Sequence, residues 1–206
     1  TIEADVVLSA VGIETNLTGI GLEEVGIEVE KGKVKVNSFY KTNVEGYYAI
    51  GDIVHGPAQA HVASHEGITC VEKIAGQYVE AIDYGNIPAC TYTNPEVASV
   101  GMTEQQAIDA GYDIKVGKFP FTASGKASAG GNRDGFVKVI FDAGIGQWLG
   151  CHMIGDNVTE MIAEVVVARA KGSTGHDIIK SVHPHPTMSE AVMEAAADAY
   201  DEVIHI

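Results

Sequence analysis

The chain has 206 residues, of which 46% are hydrophobic and 7% aromatic, a composition that argues against a disordered protein. Its 13 basic and 28 acidic residues give a formal net charge of −15, which argues against nucleic acid or an anionic membrane as a partner. No apolar stretch is long enough to span a bilayer, and the first residues carry no secretion signal. We therefore expect a cytoplasmic protein, or one of the mitochondrial matrix in a eukaryote.

The first part of the chain predicts few regular elements. The segment ADVVLSAVG, residues 4–12, predicts a buried strand with no helix or turn before it, as expected of a fragment. Alternation in GIEVEKGKVKVNS around Lys31 and Gly32 predicts a small hairpin, and GYYAIGDI, residues 46–53, predicts an apolar strand. A helix is expected over residues 58–76. The pattern then loosens up to Pro88, so we place a domain boundary between residues 83 and 84.

The second part predicts strands mixed with helices, an α+β arrangement with an antiparallel sheet. Strands are expected in ACTYTNPEVASVG, DIKVGKFPF and GFVKVIFDAGIGQWLGCHMIG, residues 89–101, 113–121 and 135–155. Helices are expected in TEQQAIDAG, NVTEMIAEVVVARAKG, GHDIIKSV and TMSEAVMEAAADAY, residues 103–111, 157–172, 175–182 and 187–200. Thr103 and Gln106 have the spacing of a capping box, and Gly111 is placed to end that helix.

The three cysteines, Cys70, Cys90 and Cys151, lie far apart and are odd in number, so we expect buried free thiols and no disulfide framework. His61 and His65 have the i, i+4 spacing of a zinc pair, but the sequence suggests no third ligand, and we expect no metal site.

The segment HPHPTMSE, residues 183–190, combines two histidines, two prolines and a glutamate. Thr187 and Glu190 have the spacing of a capping box. A histidine on a rigid, proline-flanked segment with a carboxylate close behind it is also how a general base is positioned and made more basic. The alternative is a surface histidine in a proline turn, for which His183 is the comparison.

Five motifs occur in a fixed order: AVGIETN, YYAIGDI, GPAQAHVASHEG, TNPEVASVGMTE and HPHPTMSE. Together they resemble the C-terminal part of the dihydrolipoamide dehydrogenase family of flavin-dependent pyridine nucleotide-disulfide oxidoreductases. The resemblance covers essentially the whole chain. It implies an α+β interface (dimerisation) domain with an antiparallel sheet and helices, residues 84–206. Before it, residues 1–83 would be the C-terminal part of an FAD/NAD-binding α/β region: the end of the NAD domain and the central segment that completes the FAD site.

The resemblance also implies the activity and the partners. Enzymes of this family oxidise protein-bound dihydrolipoamide through an enzyme disulfide and FAD, with NAD as acceptor. They act as homodimers and serve the lipoyl domains of 2-oxoacid dehydrogenase or glycine cleavage complexes. The chain has no Gly-x-Gly-x-x-Gly motif and no Cys-x4-Cys pair. We therefore expect a fragment that retains neither FAD nor NAD and does not turn over alone.

Roles for single residues follow from the same resemblance. His185 corresponds to the family's catalytic acid/base, which faces the flavin and disulfide of the partner subunit, and Glu190 to the carboxylate that holds its other ring nitrogen. The bond between His185 and Pro186 is often cis in this family. Pro184 departs from the alanine that is common there.

The remaining matches concern the cofactors. Asp52 corresponds to the carboxylate that binds the ribityl chain, and Gly51 allows its close approach. Gln59, Ala60 and His61 correspond to the helix start that faces the flavin pyrimidine, where the family often has Met-Leu-Ala-His. Gly12 corresponds to a glycine near the nicotinamide cofactor.

Bland alternatives stay open for these residues. Asp52 could be a turn or capping aspartate, because Gly-Asp is a common loop signal. The chain could also be a stand-alone dimerising module without redox chemistry, or part of a related flavin disulfide reductase that acts on another dithiol.

Overall fold

A computed structural model describes all 206 residues, and their contacts divide the chain into two compact units, Thr1–Ile82 and Asp83–Ile206. None of its helices has both the length and the apolar character needed to cross a membrane. The three cysteines are free; Cys70 and Cys151 are buried and Cys90 is half-buried.

The first unit contains two short strands and two helices. They are α1 (Leu22–Val25), β1 (Val29–Glu30), β2 (Lys33–Val34) and α2 (Ala60–Ile74), with a 3-10 turn at Gly51–Ile53.

The strand predicted over residues 4–12 is wrong. No helix or strand precedes Leu22, and the side chains of Val6, Val7 and Leu8 are 84%, 84% and 88% exposed. A strand is stable only when its N–H and C=O groups pair with a neighbouring strand, and no strand of this chain lies beside these residues. The apolar pattern thus gives the character of the segment but not its pairing.

The hairpin around Lys31 and Gly32 is confirmed, with Val29 paired to Val34. Both turn residues have positive φ, 51° and 76°, as the tight turns that match strand twist require. The strand predicted over residues 46–53 is wrong: only single bridges form there, and Gly51, with φ of 72°, turns the chain into the 3-10 turn. The helix predicted over residues 58–76 is confirmed as α2, which buries Val62, Glu66 and Cys70 on one face.

The second unit is a five-stranded antiparallel sheet with helices packed on it, so the predicted fold class is confirmed. The strands are β3 (Ala89–Thr91), β4 (Glu96–Gly101), β5 (Ile114–Pro120), β6 (Phe136–Asp142) and β7 (Trp148–Gly155). Their order across the sheet is β3-β4-β7-β6-β5. All paired neighbours are antiparallel, with a register irregularity at Ile140 and Phe141.

Five helices complete this unit: α3 (Glu104–Asp109), α4 (Gly125–Gly130), α5 (Val158–Ala170), α6 (Gly175–Lys180) and α7 (Glu190–Asp198). The capping box of Thr103 and Gln106 is confirmed, with both reciprocal bonds formed. Helix α4 is absent from the sequence-based expectations. Its signal is Ser124, whose side chain accepts a hydrogen bond from the Ala127 N–H and so caps the helix.

Small residues bring α7 close to the sheet. A Cβ on Gly117 of β5 would lie 2.0 Å from the carbonyl oxygen of Ala195 and 2.5 Å from the amide nitrogen of Ala199. Trp148 and Phe141 lie in the core beneath, with ring centroids 5.3 Å apart. This packing fixes α7 on the sheet, and the segment HPHPTMSE leads into the first turn of α7.

Candidate active site

The segment between α6 and α7 presents one histidine to solvent and buries the other. The side chain of His185 is 77% exposed, and its Nδ1 lies 2.8 Å from Oε1 of Glu190. The peptide bond between His185 and Pro186 is cis. Because an ionised carboxylate only accepts hydrogen bonds, this contact places a proton on Nδ1 and leaves Nε2 of the neutral ring as the basic atom.

The Glu190 carboxylate uses its second oxygen on the backbone. Its Oε2 accepts a hydrogen bond of 2.8 Å from the Thr187 N–H, which is one half of the expected capping box. The other half is wrong, because the Thr187 hydroxyl donates to the Pro184 carbonyl at 2.7 Å and does not cap α7. Burial opposes ionisation of Glu190, but the hydrogen bonds from Thr187 and His185 outweigh it and hold the pKa of this carboxyl below its ordinary value. Glu190 therefore stays ionised and holds the imidazole.

A second histidine–glutamate pair lies in the same cleft and was not expected from the sequence. The cleft, of about 100 Å³, is lined by residues of both pairs and by the segment around α4. Glu194, one helical turn after Glu190, is almost fully buried, and its Oε1 lies 2.5 Å from Nδ1 of His205. The hydrogen bond from this carboxylate raises the pKa of His205. The i, i+4 spacing of the two glutamates was the available signal.

His183 is not the surface residue that served as the comparison for His185. Its side chain is 7% exposed, and Nε2 lies 2.7 Å from Oε1 of Glu164 on α5. Its Nδ1 lies 2.9 Å from the Ser181 carbonyl oxygen. The hydrogen bond to Glu164 outweighs the opposing effect of burial, so the pKa of His183 is raised above its ordinary value.

This pair predicts a pH-dependent contribution to stability. A histidine whose pKa is raised by folding stabilises the folded state fully below its unfolded pKa of about 6.5, and the effect is lost as pH rises through the folded value. The difference in free energy of unfolding between the wild type and His183→Gln is therefore expected to be largest below about pH 6.5 and to shrink above it. Urea denaturation across a pH series measures this difference. Glu164→Gln should abolish the pH dependence; a constant difference at all pH values would contradict the prediction.

The residues matched to the flavin lie in the first unit. The Gly51 N–H donates to Oε2 of the buried Glu66 at 2.6 Å, and a Cβ on Gly51 would lie 3.3 Å from the Cβ of Ala63. This packing holds the 3-10 turn against α2. Asp52 is exposed, and its backbone carbonyl, not its carboxylate, accepts a hydrogen bond from Nζ of Lys33. The Asp52 carboxylate is therefore presented to solvent on a fixed turn.

Helix α2 begins after Gln59, which has extended backbone and forms no side-chain cap, and Ala60 and His61 occupy the first turn. The Oε1 atom of Gln59 is buried without a hydrogen-bond partner. An uncapped helix start beside an unsatisfied polar atom fits a polar, electron-rich ligand such as the flavin pyrimidine.

Two further predicted positions show little organisation. Gly12 is exposed, with φ of 128°, and a Cβ added there would have no atom within 4 Å. His61 and His65 do not join a third ligand, because no group of three or more His, Cys, Asp or Glu side chains is arranged to hold a metal ion.

Comparison with known proteins gives a consistent result. Residues 87–196 match the pyridine nucleotide-disulphide oxidoreductase dimerisation domain, and residues 1–67 match the pyridine nucleotide-disulphide oxidoreductase family. The dihydrolipoyl dehydrogenase of Rhizobium etli is 49% identical over 205 residues, 99% of this chain and 43% of that protein. The mitochondrial dihydrolipoyl dehydrogenase of Pisum sativum is 46% identical over 206 residues, 100% of this chain and 41% of that protein. The crystal structure of LpdA from Mycobacterium tuberculosis superposes with a TM-score of 0.84 at 27% identity, covering 89% of this chain and 40% of that one.

The chain spans about two fifths of the length of these relatives and corresponds to their C-terminal part. The resemblance carried by the five sequence motifs is thereby confirmed. Since the dimerisation-domain match alone covers more than half of the chain, the chain belongs to the pyridine nucleotide-disulphide oxidoreductases and contains their dimerisation domain.

Proposed function

We propose that this chain is the C-terminal part of a dihydrolipoyl dehydrogenase, a flavoprotein that oxidises protein-bound dihydrolipoamide to lipoamide with NAD as the final acceptor. The contact of 2.8 Å between Nδ1 of His185 and Oε1 of Glu190 carries the proposal. Identities of 45% to 49% with dihydrolipoyl dehydrogenases support it.

The chemistry that His185 supplies is removal of a proton. Dihydrolipoamide must lose a thiol proton to attack a disulfide sulfur as a thiolate, and a free dithiol is mostly protonated near neutral pH. Nε2 of His185 takes that proton, and Glu190 stabilises the resulting imidazolium through Nδ1. The thiolate attacks the enzyme disulfide, the second thiol closes the lipoamide ring, and the enzyme disulfide becomes a dithiol. That disulfide belongs to a part of the protein that this chain does not include.

The first unit would hold one side of the flavin. Gly51 and Asp52 would meet the ribityl chain, and the start of α2 at Gln59, Ala60 and His61 would face the pyrimidine edge. FAD, when bound, takes the electron pair from the dithiol and passes it to NAD. Gly12 would lie near the nicotinamide.

A homodimer follows from the dimerisation domain, because His185 would serve the disulfide and flavin of the partner subunit. The lipoyl domains of 2-oxoacid dehydrogenase or glycine cleavage complexes would deliver the substrate. The family's distribution includes a mitochondrial relative, so a cytoplasmic or mitochondrial matrix location is part of the proposal.

Anaerobic flavin reduction tests this function. The full-length protein that contains this chain is purified, and its visible absorption is followed after addition of dihydrolipoamide, or of reduced glutathione as a matched thiol donor. We expect a yellow dimer whose flavin is reduced by dihydrolipoamide and reoxidised by NAD. Reduction by another thiol alone would favour a related disulfide reductase. A colourless dimer of the full natural product would favour the dimerising module instead.

A further inference from the structure

We propose that His183 and Glu164 form a buried ion pair that positions His185 for proton transfer, which makes both of them positioning residues of the active site. This inference builds on the proposed function. It concerns a contact between two elements, the segment before α7 and helix α5, that neither the motif nor the family match assigns.

The geometry fixes the charge of His183. The Ser181 carbonyl, 2.9 Å from Nδ1, can only accept a hydrogen bond, so Nδ1 carries a proton. The Glu164 carboxylate, 2.7 Å from Nε2, likewise accepts, so Nε2 carries the second proton. His183 is therefore an imidazolium, in contrast to His185, whose Nε2 has no protein acceptor among its contacts. One histidine is held as a cation and the other is left free to take a proton.

Burial makes the pair depend on both partners. The His183 side chain is 7% exposed and that of Glu164 is 33% exposed, whereas the His176–Glu202 pair has both side chains about half exposed at 3.4 Å. A buried cation is stable only beside a compensating charge. Two carboxylates face His183: Glu164 from α5 and, at longer range, Glu190 from α7. Only Glu164 makes a hydrogen bond to its ring.

The pair is attached to a rigid platform. Helix α5 is anchored in the core through Val158, Met161, Ile162 and Val165. From His183 the chain reaches His185 through Pro184, whose φ is restricted by its ring and whose carbonyl is held by the Thr187 hydroxyl at 2.7 Å. A shift of His183 is therefore transmitted to His185 and away from Glu190. Misplacement of a catalytic group by about 1 Å can slow a reaction up to about a hundredfold.

A double-mutant cycle in the full-length flavoprotein tests the inference, with the rate of flavin reduction by dihydrolipoamide as the readout. We expect His183→Gln and Glu164→Gln each to lower this rate about tenfold, and the His183→Gln/Glu164→Gln double variant to be no slower than either. In the His185→Gln background, His183→Gln should change the rate less than about twofold, because there is no base left to position. The KM for NAD should stay unchanged. His176→Gln, which removes an exposed paired histidine, is the control and should match the wild type.

The outcomes separate this inference from the proposed function. Wild-type rates in both His183→Gln and Glu164→Gln would overturn the inference, as would a tenfold loss that persists in the His185→Gln background. Loss of flavin or of the dimer in both variants would show a structural pair and would overturn it as well. A wild-type rate in His185→Gln alone would instead overturn the proposed function.

Discussion

Replacing His185 with glutamine in the full-length protein is expected to slow flavin reduction by dihydrolipoamide by about a thousandfold, within the range of about a hundredfold to ten-thousandfold for a general base. Glutamine has nearly the reach of histidine and keeps a polar group beside Glu190, but it cannot accept a proton near neutral pH. The Nδ1 contact of 2.8 Å to Glu190 shows that the ring is held with Nε2 as its basic atom. Stopped-flow absorption of the flavin measures the rate.

Flavin content is the internal check for this variant. His185 is 77% exposed and belongs to the second unit, so its replacement is expected to leave the bound flavin and the thermal stability unchanged. His176→Gln, another exposed histidine with a glutamate partner, should retain the wild-type rate. Equal rates for His185→Gln and the wild type would remove His185 from the mechanism.

Replacing Gly135 with alanine is expected to lower the free energy of unfolding by about 3 kcal/mol or more, the sum of backbone strain and steric overlap. Gly135 precedes β6 with φ of 112°, a conformation that L-residues rarely adopt. An added Cβ would lie 1.8 Å from the carbonyl oxygen of Ile154, a backbone atom of the paired strand that cannot rotate away. The β6–β7 pairing would have to separate locally. Urea denaturation of the purified protein measures the change.

Gly111 provides a matched control, because it also has a positive φ, 87°, but no atom lies within 4 Å of an added Cβ. Gly111→Ala should therefore cost only the conformational strain, about 1–2 kcal/mol. Equal losses for the two variants would mean that the contact with Ile154 adds nothing at Gly135.

Features set by neighbouring residues could be predicted from the sequence. The capping box at Thr103 and Gln106 and the hairpin turn at Lys31 and Gly32 form as expected. Both depend on side chains within three residues or on the φ that glycine permits. The order of strands and helices in the second unit follows in the same way, because alternation with period two and helical spacing are local patterns.

Features that need a distant partner could not be predicted in this way. The apolar run at residues 4–12 has strand character but no strand beside it, so hydrophobicity alone predicts the wrong structure. The local sequence presents His183 as an ordinary surface histidine, because its partner Glu164 lies 19 residues away on another helix. The pairing of Glu194 with His205 also crosses from α7 to a segment beyond it.

The sequence by itself determined the family, through five motifs in order, and the identity of the candidate base and its carboxylate, His185 and Glu190. These two lie five residues apart at a helix start, where backbone geometry brings them together. Only the tertiary structure decided that Glu190 divides its two oxygens between His185 and the Thr187 N–H, and that His183 is buried against α5. Local hydrogen bonds follow from chain geometry, whereas contacts between elements exist only after the helices have packed on the sheet.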